Sequence, residues 1–349
     1  MELDATEQPQ GPSPRRRIHT RLGLAIVIAV VAVVGAAGLA FAKTRPAPIG
    51  TGIVVIDTDL AYQGGQAAGT GMVLSSNGTI LTNNHVIRGA TTLRVVVPST
   101  GRSYSARVVG YDSTDDVAVI QATGASNLKT LPLASSSGLS NGQSVTAIGN
   151  AGGTGRLTTA TGTVTGTGHS ITVSDDQGGS EHLTGMIETN ADVQPGDSGG
   201  PLLNSAGKAI GMDTAASEAN GYQDASETSQ GFAIPINKAL SIALKIMSGE
   251  SSSTVHIGGT AFLGVEVESN SYGSGAVVTQ VVPGGPADNA GLSAGDVITG
   301  FDGQSVSSPT ALTTIVSDER SGSTSTVTVE GQDGSSQTVN ITLGSGPPR

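Results

Sequence analysis

An eight-residue string dense in glycine and proline constrains the fold of this chain more than any other feature. Gln194 to Pro201 reads Gln-Pro-Gly-Asp-Ser-Gly-Gly-Pro, which predicts a tight turn in which side chains at neighbouring positions would clash. Such a turn can direct the N–H groups of Gly196 and Ser198 into one small space beside the Ser198 hydroxyl. Acyl transfer needs this combination of nucleophile and preorganised donors; an ordinary surface turn is the alternative interpretation.

A serine hydroxyl is a weak nucleophile, so it needs a base. His85 follows two apolar segments that flank Asn77-Gly78, the strongest short signal for a hairpin. At the end of a rigid hairpin strand it is the candidate base, with a capping or packing role as the alternative. The other histidines fall in a basic tail, a polar glycine-rich run that we expect to be an exposed loop, and a predicted linker: His19, His169, His182 and His256.

A carboxylate is expected to orient this base. Asp116 directly precedes the apolar run Val117 to Ile120 and is therefore the aspartate most strongly drawn toward the interior. A buried carboxylate requires a hydrogen-bonding partner, which a histidine N–H can provide. Asp112 and Asp115 are expected to face water or to cap the turn.

Four motifs together resemble the HtrA (DegP-type) serine proteases, in particular the membrane-anchored actinobacterial members with one PDZ domain. They are Thr82-Asn83-Asn84-His85-Val86, Asp116-Val117-Ala118-Val119, the 194–201 string and Gly231-Phe232-Ala233-Ile234-Pro235. The resemblance implies that His85 is the general base, Asp116 its orienting partner and Ser198 the nucleophile. It also implies an oxyanion hole formed by the amides of Gly196 and Ser198, and it implies no cofactor and no metal.

The N-terminal region predicts a membrane anchor. Leu22 to Phe41 is an uncharged run of 20 residues, long enough to cross a bilayer. Four arginines precede it and only two basic residues follow closely, which places the N-terminus in the cytoplasm. We expect a cytoplasmic tail at 1–21 and a single-pass signal anchor at 22–42; the alternative is a signal peptide cleaved after Ala42, giving a secreted protein.

Composition limits the partners and the architecture. The chain has no cysteine and carries 17 basic and 28 acidic residues, which argues against nucleic acid as a partner. Residues 43–249 contain many short Val/Ile/Thr-rich segments that predict a barrel or sandwich. The resemblance implies a mainly β chain with two six-stranded barrels, and residues 235–247 have helical spacing.

A second domain is expected after a Ser/Thr-rich linker at 250–258. Residues 259–344 resemble a PDZ domain, in which Phe262, Leu263, Gly264 and Val265 would receive a peptide's C-terminal carboxylate and residues 309–316 would form the helix beside the groove. A peptide strand would add near Gly264; a β-rich domain without a ligand is the alternative. The resemblance also allows a homotrimer, although residues 50–62 show no clear aromatic patch for one.

Two aspartates depart from the family pattern. Asp197 stands where many relatives have asparagine, and its partner is left open between backbone donors, a side-chain cation and solvent. Asp192 lies six residues before Ser198, the spacing of the base of the primary specificity pocket in trypsin-like folds. A carboxylate there would favour cleavage after Lys or Arg; if it instead faces solvent, the small aliphatic preference of the relatives would hold.

The leading functional interpretation is an exported endopeptidase of misfolded or cell-envelope proteins, active in stress-related quality control. One alternative is a peptide-binding chaperone or scaffold whose site is mostly unassembled. Another is a sensor that cleaves one membrane partner when its PDZ domain is occupied. Thr165 to Gly185 is polar and glycine-rich, which is typical of mobile segments. The resemblance implies that a sensor loop in this region conveys PDZ or substrate occupancy to the Gly196 amide.

Overall fold

The computed structural model describes residues 50–61, 64–174, 180–214 and 230–349. The predicted cytoplasmic tail at 1–21, the predicted anchor at 22–42 and the alternative cleavage site after Ala42 lie outside these residues. None of the helices in the described ranges combines the length and the apolar character that a bilayer crossing requires.

The first six strands form a closed barrel. Strand β1 pairs with β2 and β4, β3 joins β2 to β6, and pairing of β5 with β6 closes the ring. The predicted turn at Asn77-Gly78 connects β2 to β3, and Gly78 has a φ of +95°. The elements are β1 (Ile53–Leu60), β2 (Gly65–Val73), β3 (Thr79–Thr82), α1 (Asn84–Ile87), β4 (Thr92–Val97), β5 (Arg102–Asp112) and β6 (Val117–Ala122).

The next six strands close a second barrel in the order β10-β11-β12-β9-β8-β7. Its interior is filled by small and branched apolar residues such as Val145, Ile187, Leu202 and Ile210, as the Val/Ile-rich segments predict. The strands are β7 (Ser144–Gly149), β8 (Thr158–Ser174), β9 (Ser180–Thr189), β10 (Pro201–Asn204), β11 (Ala209–Thr214) and β12 (Gly231–Pro235).

The loop predicted for the glycine-rich run around His169 and His182, within Thr165 to Gly185, is wrong for the described residues. They belong to the long antiparallel hairpin of β8 and β9, whose register shifts at three bulges. Glycines signal bulges in strands as well as loops, so the composition alone was ambiguous. Residues 175–179 lie outside the described part of the chain.

Helix α2 (Ile236–Ser248) confirms the helix predicted for residues 235–247. It buries Ile236, Ile242 and Ile246 on one face and packs against β5 and β6 of the first barrel and β11 and β12 of the second. The helix ends at Gly249, whose φ of +76° and N–H bond to the Ile246 carbonyl form a left-handed cap. A single amphipathic helix therefore ties the two barrels together.

The segment predicted as a linker at 250–258 contains a strand. Strand β13 (Val255–Ile257) pairs antiparallel with β5, placing Val255 opposite Asp112 and His256 opposite Tyr111. Burial of Val255 and the hydrogen bonds offered by an unpaired strand edge outweigh the polar composition on which the linker prediction rested. Residues of the first barrel thus pair directly with the segment that leads to the next domain.

The remaining residues form a smaller β domain with its own core around Phe301. Its main sheet has the order β15-β16-β17-β19-β20, so that β15 is an edge strand. Helix α4 confirms the helix predicted for residues 309–316, begins after the Ser308 cap and packs against β14, β15 and β16. The elements are β14 (Thr260–Phe262), β15 (Val265–Ser269), β16 (Ala276–Val281), α3 (Pro286–Asn289), β17 (Val297–Phe301), β18 (Gln304–Ser305), α4 (Pro309–Asp318), β19 (Thr324–Glu330), β20 (Ser336–Thr342) and β21 (Gly344–Gly346).

Candidate active site

His85 follows strand β3 and is the second residue of helix α1. Asn83, two residues before His85, is buried, and its side-chain Nδ2 donates to the carbonyl oxygen of Asp116 at 2.9 Å. Asn84 is also fully buried, whereas the His85 side chain keeps 29% of its surface exposed. The backbone around the imidazole is therefore fixed while the ring remains accessible to a reactant.

The Asp116 carboxylate holds His85 at two points. Its Oδ1 accepts the backbone N–H of His85 at 2.9 Å, and its Oδ2 lies 2.9 Å from the ring Nδ1. An ionised carboxylate can only accept, so with Asp116 ionised the ring proton lies on Nδ1 and Nε2 is the ring nitrogen that can accept a proton. Asp116 is 1% exposed and has a φ of +52°, a left-handed conformation that non-glycine residues rarely adopt.

The neighbouring Asp115 points to a different partner. Its Oδ1 lies 2.6 Å from the Lys238 Nζ on helix α2. The two aspartates, between which the sequence left the choice partly to the family pattern, therefore differ in their contacts: Asp116 contacts His85 and Asp115 contacts helix α2.

The Ser198 loop has the tight turn that its composition predicts. Gly196 has a φ of +98°, and a Cβ at this position would lie 2.2 Å from the Asn150 carbonyl oxygen. At Gly199, with a φ of +83°, a Cβ would lie 2.1 Å from the Thr70 carbonyl oxygen. Only glycine fits at either position, because both the conformation and the space exclude a side chain. Ser198 itself is 4% exposed.

Thr70 on strand β2 fastens this loop to the first barrel. Its Oγ1 donates to the Gly196 carbonyl at 2.7 Å and accepts the Asn150 N–H at 2.9 Å. Its backbone N–H donates to the Ser198 carbonyl at 2.9 Å. The Gly196 carbonyl is thereby held on the Thr70 side, and among the described residues the Gly196 N–H has no hydrogen-bond acceptor.

Strand β11 links the Ser198 loop to the Asp116 carboxylate. The Gly199 N–H donates to the Asp213 carbonyl at 2.9 Å, and the next residue, Thr214, donates from Oγ1 to Asp116 Oδ2 at 3.5 Å. The sequence did not single out Thr70 or Thr214, since no motif marks a threonine that meets these loops only after both barrels have formed. Strand β11 therefore contacts both the Ser198 loop and, through Thr214, the Asp116 carboxylate that holds His85.

Two further carboxyl groups lie behind the loop. Asp197 finds a backbone donor, because its Oδ2 accepts the Gln194 N–H at 2.9 Å. Burial raises the pKa of the Asp197 carboxyl. The hydrogen bond from the Gln194 N–H lowers this pKa, and the charge of Asp192 raises it. Asp213 is fully buried, and neither of its carboxylate oxygens has a partner among the described residues. Burial raises the pKa of Asp213 well above its usual value, and the charge of Asp197 raises it further.

Asp192 is exposed at the rim of the same loop. Its Oδ1 accepts a hydrogen bond from Gln194 Nε2 at 2.7 Å. This position leaves the carboxylate open to a ligand as well as to solvent, so its role in a specificity pocket stays a prediction.

The remaining described histidines have other contacts. His169 Nε2 lies 3.2 Å from Glu188 Oε2, His182 contacts Thr172, and His256 stacks on Tyr111. His169 and His182 lie on strands β8 and β9, which corrects the exposed loop expected for them. No group of three or more potential metal ligands is assembled within the described ranges.

In the smaller domain, residues 262–265 form a turn between β14 and β15. Gly264 has a φ of +80°, and the Leu263 and Gly264 carbonyls accept the N–H groups of Ala287 and Val282 at 3.0 and 2.9 Å. The carbonyls are thus turned toward the domain's own backbone. The turn opens onto the edge strand β15, next to helix α4.

Comparisons with known proteins agree with this architecture. Residues 69–212 match the model of a trypsin-like peptidase domain, and residues 261–343 match that of a PDZ domain. The serine protease PepD of Mycobacterium tuberculosis is 35% identical over 303 residues, which cover 84% of this chain and 63% of PepD. The chain belongs to the HtrA-type serine protease family.

Other members of the HtrA-type family are similarly related. The periplasmic serine endoprotease DegP of Escherichia coli K12 is 34% identical over 285 residues, covering 79% of this chain and 57% of DegP. The solved structure of the HtrA-type protease AlgW with a tripeptide is 30% identical, with a TM-score of 0.49, and the match covers 86% of this chain and 95% of that one. This chain spans less than two thirds of the length of PepD and of DegP.

Proposed function

We propose that this protein is a serine endopeptidase in which Ser198 is the nucleophile, His85 the general base and Asp116 its orienting partner. The observation that carries the proposal is the double contact of Asp116 with the ring and the backbone of His85, both at 2.9 Å. With Asp116 ionised, that contact favours the tautomer in which Nε2 can accept the Ser198 proton.

The chemical steps follow from these roles. Ser198 Oγ attacks the scissile carbonyl carbon while His85 Nε2 takes the hydroxyl proton, and Asp116 stabilises the resulting imidazolium. The same proton then passes to the leaving amine as the peptide C–N bond breaks. Water, deprotonated by His85, hydrolyses the acyl-enzyme and restores the Ser198 hydroxyl.

The oxyanion formed in each addition step needs preorganised donors, which we assign to the N–H groups of Gly196 and Ser198. The assignment is supported by the carbonyls that share a peptide with these N–H groups: Pro195 accepts the Gly152 N–H and Asp197 accepts the Gly200 N–H, each at 2.8 Å. A peptide held from its carbonyl side keeps its N–H direction without reorganisation during the reaction.

Asp192 is proposed to favour Lys or Arg before the scissile bond. Its exposed carboxylate lies near the nucleophile loop, close enough for its charge to raise the pKa of Asp197. A substrate cation at this rim would be attracted by Asp192 and also by any ionised fraction of Asp197. A small apolar side chain gains nothing from these charges.

The PDZ domain is proposed to bind the C-termini of peptides and thereby to localise or regulate cleavage. Residues 262–265 would receive the terminal carboxylate, and the peptide would pair with the open edge of β15 beside helix α4. The open edge and the adjacent helix are the features that support this mode.

We also propose an extracytoplasmic location, with a single membrane anchor at 22–42 and substrates among misfolded or cell-envelope proteins. The support is the apolar run at 22–41 with its excess of preceding arginines and the periplasmic names of relatives such as DegP.

Casein hydrolysis by Ser198→Ala tests the proposed function. Alanine fits the turn and removes only the hydroxyl, so hydrolysis should fall to the background level while the thermal unfolding curve stays unchanged. Ser205→Ala, at an exposed position in the same barrel, is the matched control and should retain full activity. Casein hydrolysis by purified Ser198→Ala at the wild-type rate would overturn the proposal.

A further inference from the structure

We infer that Thr254 and Asp112 form a positioning pair through which the segment leading to the PDZ domain holds Asp116 against His85. The inference rests on the proposed function, because it assigns a regulatory input to the same catalytic site. It identifies two residues that contact neither the nucleophile nor the base.

The first step is the contact between the segment and the first barrel. Thr254 Oγ1 donates to Asp112 Oδ2 at 2.8 Å. Thr254 is itself held in a turn, because its N–H donates to Ser252 Oγ at 3.2 Å and the Ser252 N–H donates to the Val255 carbonyl at 3.0 Å. The hydroxyl therefore approaches Asp112 from a fixed backbone and moves only if strand β13 moves.

The second step is the use of the other carboxylate oxygen. Asp112 is 2% exposed, and its Oδ1 accepts the N–H groups of Thr114 and Asp115 at 3.0 and 3.1 Å. One buried carboxylate thus joins β13 on one side to the turn of residues 113–116 on the other. A buried acceptor that satisfies three donors is costly to displace.

The third step is the conformation at the end of this turn. Asp116 has a φ of +52°, which a non-glycine residue keeps only when its surroundings determine it. Besides Asp112, two contacts of the turn with other elements hold residues 113–116 in place. Asp115 bonds to Lys238 on helix α2, and the Asp116 carbonyl accepts Asn83 Nδ2. Among these anchors, Asp112 alone receives a hydrogen bond from the segment leading to the PDZ domain.

The residue before Asp112 carries a second contact to the same segment. Tyr111 is fully buried, its ring stacks on His256 with a centroid distance of 5.0 Å, and its hydroxyl lies 3.0 Å from Thr260 Oγ1. Thr260 opens strand β14 of the PDZ domain. Any displacement of β13 therefore disturbs Tyr111 and Asp112 together, and the catalytic carboxylate four residues later loses part of its support.

The test uses full-length Thr254→Val, which keeps the shape of the side chain and removes the hydroxyl. We expect kcat on a short chromogenic peptide to fall about tenfold with KM within about twofold, since small misplacements of catalytic groups lower the rate of the chemical step. Thr254→Ser restores the hydroxyl and should recover kcat to within about twofold. Thr92→Val is the matched control, because Thr92 also donates to an aspartate of the first barrel, Asp59, and should leave kcat unchanged.

A readout independent of turnover accompanies the kinetics. The low-field proton resonance of His85 Nδ1–H, which reports the hydrogen bond to Asp116, should move upfield in Thr254→Val and return in Thr254→Ser. An unmoved resonance, a kcat equal to that of Thr92→Val, or a failed rescue by serine would each overturn the inference. An inactive wild-type protein would instead contradict the proposed function, while the resonance would still test the positioning pair.

Discussion

At the scale of single residues, the site depends on how each carboxylate is used. Asp116 contacts His85 twice, Asp115 forms an ion pair with Lys238, and Asp192 remains exposed beside Gln194. Aspartates one position apart therefore have unlike roles, because the turn conformation sends neighbouring side chains to different elements. Substitution of each carboxylate should consequently have a different effect.

Asp116→Asn should lower turnover by about four orders of magnitude, because an amide can favour the wrong tautomer of His85. The magnitude is that of the corresponding substitution in a well-studied serine protease. Asp115→Asn weakens only the partly exposed contact with Lys238, and we expect less than about a tenfold loss. Steady-state kinetics on one peptide substrate measures both variants, and a larger loss in Asp115→Asn would refute the assignment.

Asp192 provides the test of specificity. Chromogenic substrates with Arg or Lys before the scissile bond should be cleaved faster than those with Val or Ala, and Asp192→Ala should shift the ratio of kcat/KM values by about tenfold toward Val and Ala. Asp318→Ala removes another exposed charge, on helix α4 of the PDZ domain, and should leave the ratio unchanged. A wild-type preference for Val or Ala that Asp192→Ala does not alter would contradict the proposed pocket.

At the scale of elements, strand β2 supports the nucleophile loop from the opposite barrel. Thr70 bonds to Gly196, Ser198 and Asn150, and strand β11 contacts both Gly199 and, through Thr214, Asp116. The active geometry is thus a property of the interface between two barrels. Either barrel alone would lack all three Thr70 contacts and the contact of Thr214 with Asp116.

Thr70→Val tests whether the hydrogen bonds of the Thr70 hydroxyl to the nucleophile loop are needed for catalysis. Valine leaves the Gly196 carbonyl and the Asn150 N–H without their buried partner, so kcat should fall about tenfold to a hundredfold, and the protein should lose about 1–3 kcal/mol of stability. Thr70→Ser should restore most of both. Thr189→Val, which removes a hydroxyl with the same pattern of one donated and one accepted bond, should lower stability without slowing fluorophosphonate labelling. Equal labelling rates in Thr70→Val and wild type would argue against the support.

At the scale of the whole molecule, the protease and PDZ parts are in direct contact. Strand β13 extends the first barrel, and the N–H of Gly89 and the Nδ2 of Asn84 donate to the carbonyls of Pro348 and Arg349, each at 2.8 Å. Residues that follow the PDZ domain therefore contact the short helix that carries His85. Stability and activity of the two parts are expected to be coupled through these contacts.

The buried Asp213 makes stability of the whole molecule dependent on pH. Its pKa is raised in the folded state, so the folded protein binds more protons than the unfolded chain once pH exceeds about 3.9, the ordinary value for Asp. The free energy of unfolding then decreases as pH rises toward the raised pKa. Asp213→Asn should increase the melting temperature by roughly 5 °C at pH 7, and the gain should disappear near pH 4. A gain that is independent of pH would refute this explanation.

Much of the architecture could be predicted from local sequence signals. The Asn77-Gly78 hairpin, helix α2 and the glycine-dense Ser198 turn all follow from residues that lie next to one another in the chain. Strand β13 could not be predicted in this way, because its pairing depends on the edge of β5, more than a hundred residues earlier. The partners of Thr70, Thr254 and Asp213 likewise exist only after distant elements have packed together.

The most direct test of the central claim is to locate the residue that reacts with a fluorophosphonate probe. We expect one labelled position, Ser198, identified by mass spectrometry of the digested wild-type protein. Labelling should be lost in Ser198→Ala and strongly slowed in Asp116→Asn, while Ser205→Ala labels normally. Labelling of any other serine, or persistence of the label in Ser198→Ala, would contradict the account.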